Sequence, residues 1–137
     1  ARIEAVLAGG LAALSDGIMA RWFPPATRQS AAAQRARAML EATPREGYAG
    51  AAAAIAGTDL ITPTSGLRLP VLALAGSQDG STPPDMLREM ADLIPGADFA
   101  LIRGAGHVAP IDAAEAFAEH LTGFLTRIGH LPGGAGE

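Results

Sequence analysis

Apolar positions at the start of the chain recur at helical spacing. Ile3, Val6, Leu7, Leu11, Leu14, Ile18, Met19 and Trp22 stand mostly three or four residues apart, which predicts helix over residues 2–23. Gly9-Gly10 interrupts the pattern, and two interior glycines cost a helix about 1–2 kcal/mol, so a break is expected there. Phe23-Pro24-Pro25 ends the segment. An alanine-rich stretch predicts a second helix over roughly 28–41, with Met39 and Leu40 near its end. Thr43-Pro44-Arg45-Glu46 then reads as a start signal, with Thr43 as cap, Pro44 at the first helical position and Glu46 completing a capping box. The helix it opens runs through about Ala56 and stops at Gly57.

The pattern changes after a connector, residues 58–69, punctuated by Pro63 and Gly66. Pro70–Gly76 is a short unbroken apolar run of the kind expected of a strand buried on both faces. Thr82-Pro83-Pro84 opens a helix through Ile94, and Pro95-Gly96 closes it. Asp98–Ile102 reads as a second strand, and Ala113–Ile128 as a final helix with Phe117, Leu121, Phe124 and Leu125 on one face. The tail, 130–137, is expected to be mobile. The organisation is therefore a helical part, 1–57, then a β-α-β-α part, 58–129. Two parallel strands with one crossover helix do not close an α/β core, and so apolar a strand needs a further neighbour on its edge. Another polypeptide, or a second copy, is expected to complete the sheet.

Composition narrows the function classes. The chain has 137 residues, 49% of them hydrophobic and only 4% aromatic, so one domain with a core of Ala, Leu and Ile is expected. A formal charge of −4, with Lys and Arg scattered, gives no electrostatic footprint for nucleic acid. Zero cysteines exclude disulfides, thiolate zinc sites and a cysteine nucleophile. No apolar run reaches the ~18 residues of a membrane span, and no signal-peptide pattern opens the chain, so a cytoplasmic protein is the default expectation. Three distant histidines (His107, His120, His130) make no metal site, and neither a P-loop nor a dinucleotide fingerprint is present, so no cofactor is expected.

The chemistry concentrates in two loops. Val71-Leu72-Ala73-Leu74-Ala75-Gly76-Ser77-Gln78-Asp79 and Phe99-Ala100-Leu101-Ile102-Arg103-Gly104-Ala105-Gly106-His107 are each a strand followed by one polar residue of catalytic type. An acid and then a histidine, each past the carboxyl end of a strand, form the back half of a Ser-Asp-His triad. Asp79 would orient the imidazole and His107 would be base and then acid; the bland alternatives are a turn residue in Asp79-Gly80 and a solvated loop histidine. Gly104 and Gly106 favour the functional reading of His107, because they let its loop turn tightly. His120 and His130 are read as surface groups.

These loops resemble the C-terminal part of the α/β-hydrolase fold. The helical part, through Arg21-Trp22-Phe23, Met39-Leu40-Glu41-Ala42-Thr43 and Gly47-Tyr48-Ala49, is similar to the cap of 3-oxoadipate enol-lactonases. The resemblance implies a helical cap followed by β-α-β-α, with hydrolysis of a small lactone or ester, foremost 3-oxoadipate enol-lactone in aromatic-compound degradation. Another small-ester hydrolase or a cofactor-free haloperoxidase-like enzyme is the alternative of the same class. A catalytically inactive fragment or assembly module is the alternative of another class. The lactone carries a carboxylate, so one arginine should meet it: Arg21, Arg28 and Arg103 are candidates, each also readable as a surface charge. Trp22 would line the pocket or simply pack the cap.

The resemblance places Ala1 just after the sixth strand of the fold, so the elbow serine and oxyanion amides would come from a complementary N-terminal segment or second chain. Within the sequence, Ser15 in Ala13-Leu14-Ser15-Asp16-Gly17 partly matches the elbow pattern, but a strand must precede an elbow and this stretch reads as helix. Ser30, Ser65, Ser77 and Ser81 fit no elbow. The isolated chain is accordingly expected to be inactive.

Overall fold

A computed structural model describes residues 2–132. Helices α1 (Arg2–Gly9), α2 (Ser15–Trp22), α3 (Ala31–Glu41) and α4 (Arg45–Ala56) come first, with a 3-10 turn, Ala12–Leu14, between α1 and α2. A short α5 (Ile61–Ser65) precedes strand β1 (Leu72–Gly76), helix α6 (Pro84–Asp92) and strand β2 (Asp98–Ile102); α7 (Ala109–Asp112) and α8 (Ala114–Arg127) follow. The strands pair in parallel, from Leu72 opposite Asp98 to Gly76 opposite Ile102, with α6 as the crossover. Both α6 and α8 pack against the two strands. No helix among the described residues is long and apolar enough to cross a membrane.

Three apolar clusters hold these elements together. Val6, Leu11, Ile18 and Leu40 form one, and Met19, Phe23, Ala33 and Ala36 a second; Trp22 packs on both. Val108, from the loop that follows β2, also joins the second cluster and so ties the helical part to the strands. The third is Ile102, Ala105 and Ala109 under Phe117 of α8. Phe23, only 1% exposed, is the largest fully buried side chain, and removing such a ring costs about 3–5 kcal/mol.

The break at Gly9-Gly10 falls where the sequence predicts it, but several boundaries differ. The second helix starts at Ala31 because Pro24 to Ser30 form successive turns instead, and the Ser30 hydroxyl caps the helix by accepting the Ala33 amide at 3.1 Å. The capping box before α4 does not form: Thr43 donates back to the Met39 carbonyl at 3.0 Å, Glu46 pairs with Arg45 at 2.9 Å, and Pro44 occupies the cap position. Thr43 instead serves the end of α3, whose last carbonyls have no partner within the helix. The connector contains α5, whose start is helped by Asp59 accepting the Ile61 amide at 3.1 Å. The residues before α8 make the separate α7, since Ala113 is non-helical at φ −138° and ψ 54°. Burial of β1 is one-sided: Ala73 and Ala75 are buried while Leu72 and Leu74 are half-buried, in a sheet that has two strands among the described residues. Of the tail, 130–132 is described and folds back, His130 and Leu131 donating to the Leu125 carbonyl; 133–137 lies outside the described residues.

Candidate active site

The carboxyl ends of the parallel strands bring the two loops together. Beyond β1, the Ser77 amide donates to the Ile102 carbonyl at 3.0 Å, and the Gln78 amide to the Ala105 carbonyl at 2.8 Å. Two glycines make this closeness possible. A Cβ on Gly76 would lie 2.2 Å from the Gly106 carbonyl oxygen, and one on Gly106 would lie 2.2 Å from that of Trp22. No side chain fits at either position.

Within the first loop Asp79 is held on both oxygens. Oδ1 accepts the amides of Ser81 (2.7 Å) and Thr82 (2.9 Å), while Oδ2 accepts the Thr82 hydroxyl (2.9 Å) and faces His107 Nδ1 at 2.9 Å. Burial, with the side chain 6% exposed, pushes the Asp79 carboxyl up; the Thr82 amide, the His107 ring, the Ser81 amide and the Thr82 hydroxyl outweigh it and hold the group below its ordinary range. Asp79 is therefore ionised at neutral pH and can only accept. That fixes the tautomer: a neutral His107 carries its proton on Nδ1, which leaves the Nε2 lone pair as a base. The ring stays 33% exposed, open to a second reactant.

The end of α2 anchors both loops. The Gly80 amide donates to the Arg21 carbonyl at 3.0 Å, and the His107 amide to the Trp22 carbonyl at 2.8 Å. On the far side of the histidine loop, the Gly106 amide donates to Asp112 Oδ2 at 2.6 Å.

Trp22 stands between two cavities. One, of about 430 Å³ and mainly apolar, is lined by Trp22, Met39, Leu40, His107, Val108 and Ile111 among others. The other, of about 310 Å³, is lined by Ile18, Arg21, Trp22, Tyr48, Gly80 and Ser81. The Trp22 ring lies 6.3 Å from the His107 ring, inclined by 30°. Trp22 thus both lines the site and packs the helical part. Among the arginines, Arg21 reaches the second cavity and Arg103 is exposed beyond β2. Arg28 is engaged elsewhere, on the carbonyls of Ala20 and Phe23.

Four of the five serines take structural positions, while Ser81 lines the second cavity. Ser15 is 2% exposed and opens α2 after the 3-10 turn; its hydroxyl donates to the Ala12 carbonyl and accepts from Arg37 Nη1 at 2.9 Å. Neither a preceding strand nor a sharp elbow surrounds it. Ser77 Oγ accepts the Gly104 amide, Ser65 donates to the Thr62 carbonyl, and Ser30 caps α3.

The site also includes Thr82 and Tyr48, which are not among the candidates the sequence offers. An Asp followed by Gly-Ser-Thr-Pro is the pattern of a side chain that accepts amides two and three residues on, so the Thr82 contact had a local signal. Beyond its place in the cap-like Gly47-Tyr48-Ala49 segment, Tyr48 carries no local signal of a site role, because α4 reaches the cavity only through packing.

Strand, acid loop, crossover helix, strand and histidine loop in this order and geometry define a hydrolase-type α/β core, and the chain belongs to the α/β-hydrolase fold family, whose model matches residues 11–114. It is similar to 3-oxoadipate enol-lactonase 1 of Acinetobacter baylyi, with 34% identity over 130 residues, covering 93% of this chain and 48% of the relative. The crystal structure of the enol-lactonase from Burkholderia xenovorans superposes with a TM-score of 0.86 at 31% identity, over 91% of this chain and 48% of that one. A thermophilic esterase from Thermogutta terrifontis, solved with malate bound, gives 0.84 at 27% identity, over 92% and 47%. The chain thus spans about half the length of the relatives it matches.

Proposed function

We propose that this chain supplies the acid and histidine of a serine-hydrolase triad acting on a small lactone or ester, foremost 3-oxoadipate enol-lactone. The observation that carries the reading is the 2.9 Å contact of His107 Nδ1 with the buried, ionised Asp79. In this mechanism a serine from a complementary N-terminal segment or second chain attacks the lactone carbonyl. His107 Nε2 takes the serine proton, and Asp79 stabilises the imidazolium that forms. His107 then gives the proton to the leaving enol oxygen, activates water against the acyl-enzyme, and returns a proton to the serine as the ring-opened acid departs.

The substrate assignment is supported by similarity to two enol-lactonases, and by a site with one apolar and one more polar, arginine-bearing cavity on either side of Trp22. Arg21 is the proposed partner of the substrate carboxylate. Similarity to an esterase keeps other small esters as the second reading.

The test is complementation. The pure 137-residue chain is expected to hydrolyse neither enol-lactone nor simple esters. Mixing it with a companion polypeptide that contains a strand and Gly-x-Ser-x-Gly should restore turnover, and His107→Ala should abolish it. Turnover by the chain alone, lost in Ser15→Ala, would overturn the proposal. So would an assembled enzyme indifferent to His107→Ala.

A further inference from the structure

We propose that Arg28 is a positioning residue for the Asp79–His107 pair, acting through the carboxyl end of α2; the inference rests on the catalytic reading of that pair. The last four carbonyls of a helix have no intrahelical partner and need one from elsewhere. In α2 each can be traced. Met19 takes the Phe23 amide at 3.0 Å, Ala20 takes Arg28 Nη2 at 3.3 Å, Arg21 takes the Gly80 amide at 3.0 Å, and Trp22 takes the His107 amide at 2.8 Å. The next carbonyl, Phe23, takes Arg28 Nη2 and Nε at 3.1 and 3.3 Å. The guanidinium therefore bridges the carbonyls on either side of the two that hold the acid loop and the histidine loop.

Arg28 is itself fixed. Its amide donates to the Pro24 carbonyl at 3.0 Å, and its carbonyl accepts Gln34 Nε2 at 3.1 Å. A cation at this end also suits the helix dipole. If the bridge is lost, the last turn of α2 is free to fray. Fraying releases the amides of Gly80 and His107 together, and it carries Trp22, which lines both cavities. Lysine does not reproduce this arrangement, because one ammonium on a flexible stem lacks the planar Nε–Nη2 edge that grips the Phe23 carbonyl while Nη2 also reaches Ala20.

The test is amide hydrogen exchange, with the far-downfield proton spectrum, on the protein as isolated. In Arg28→Lys the Gly80 and His107 amides should lose at least about tenfold protection while the β1–β2 ladder keeps its own, since local opening is read residue by residue. The resonance of the His107 Nδ1 proton should broaden or vanish. Ser30→Ala, which removes the cap of α3, is the control: it lowers stability without singling out those two amides. Protection within about twofold of wild type at both amides, or a loss spread evenly over every amide, overturns the inference. If Arg28→Lys does not fold, Arg28→Gln, a neutral donor with one short arm, is read the same way. Absence of the Nδ1 proton signal in the wild-type protein would instead count against the catalytic pair itself.

Discussion

Replacing Asp79 with asparagine changes one oxygen into an amino group and almost nothing in volume. Its consequence follows from the four contacts of the carboxylate. The Ser81 and Thr82 amides demand an acceptor, so the carboxamide oxygen stays at the Oδ1 position and the amino group faces Thr82 Oγ1 and His107 Nδ1. The threonine hydroxyl can rotate to accept. The imidazole must also accept, which moves its proton from Nδ1 to Nε2 and removes the lone pair that the proposed mechanism uses as base. Stability should fall by about 1–3 kcal/mol, the scale of losing hydrogen bonds to a charged group. Turnover of the assembled hydrolase should fall on the order of 10⁴-fold, the scale for a triad left in the wrong tautomer. The pH dependence has a definite sign. The folded carboxyl lies below its ordinary range, so its contribution is fully present above the unfolded value near ~3.9 and is lost as pH falls through the lower folded value. Asp79→Asn should flatten that acid limb. Nitrogen NMR of the ring reads the tautomer, and denaturant titrations from about pH 2 to pH 7 read the linkage. A His107 that keeps its Nδ1 proton in the variant, or an acid limb of unchanged slope, would refute the reasoning.

Two further substitutions separate packing from chemistry. Gly106→Ala forces a methyl against the Trp22 carbonyl at 2.2 Å and Pro24 Cδ at 2.8 Å, so the histidine loop must lift from α2; about 1–3 kcal/mol or more should be lost in urea unfolding, and a neutral result would show the approach to be looser. Ser15→Ala removes a buried hydroxyl between the Ala12 carbonyl and Arg37, a guanidinium that keeps Asp16 at 2.7 Å; it should cost about 1–2 kcal/mol of stability and leave turnover of the assembled enzyme unchanged.

Much of the site can be read in the chain because its determinants are local. The apolar run before Gly76 and the pattern Asp98–Ile102 mark the strands, and in a parallel α/β arrangement the residues just past strand ends gather on one edge. A local rule also predicts the capping box at Thr43, which does not form because the end of α3 competes for the same hydroxyl. Arg28 shows the limit most clearly. An arginine near a candidate pocket invites a ligand contact, yet its partners are carbonyls left without intrahelical donors because α2 ends at Trp22, with Phe23 already extended.

The chain alone gives the order of the main helices and both strands, the two glycine-bearing loops and the chemical identities of Asp79 and His107, since these follow from periodicity, turn propensity and side-chain type; the short α5 and α7 do not. It takes the folded chain to bring Asp79 Oδ2 to Nδ1, to let Thr82 share that oxygen, to set the carbonyls of Arg21 and Trp22 against both loops, and to bury Ser15 beside Arg37. Each of these joins residues more than 20 positions apart, or hangs on such a contact, and a hydrogen bond is settled within a few tenths of an ångström, a precision that packing supplies and spacing along a chain does not.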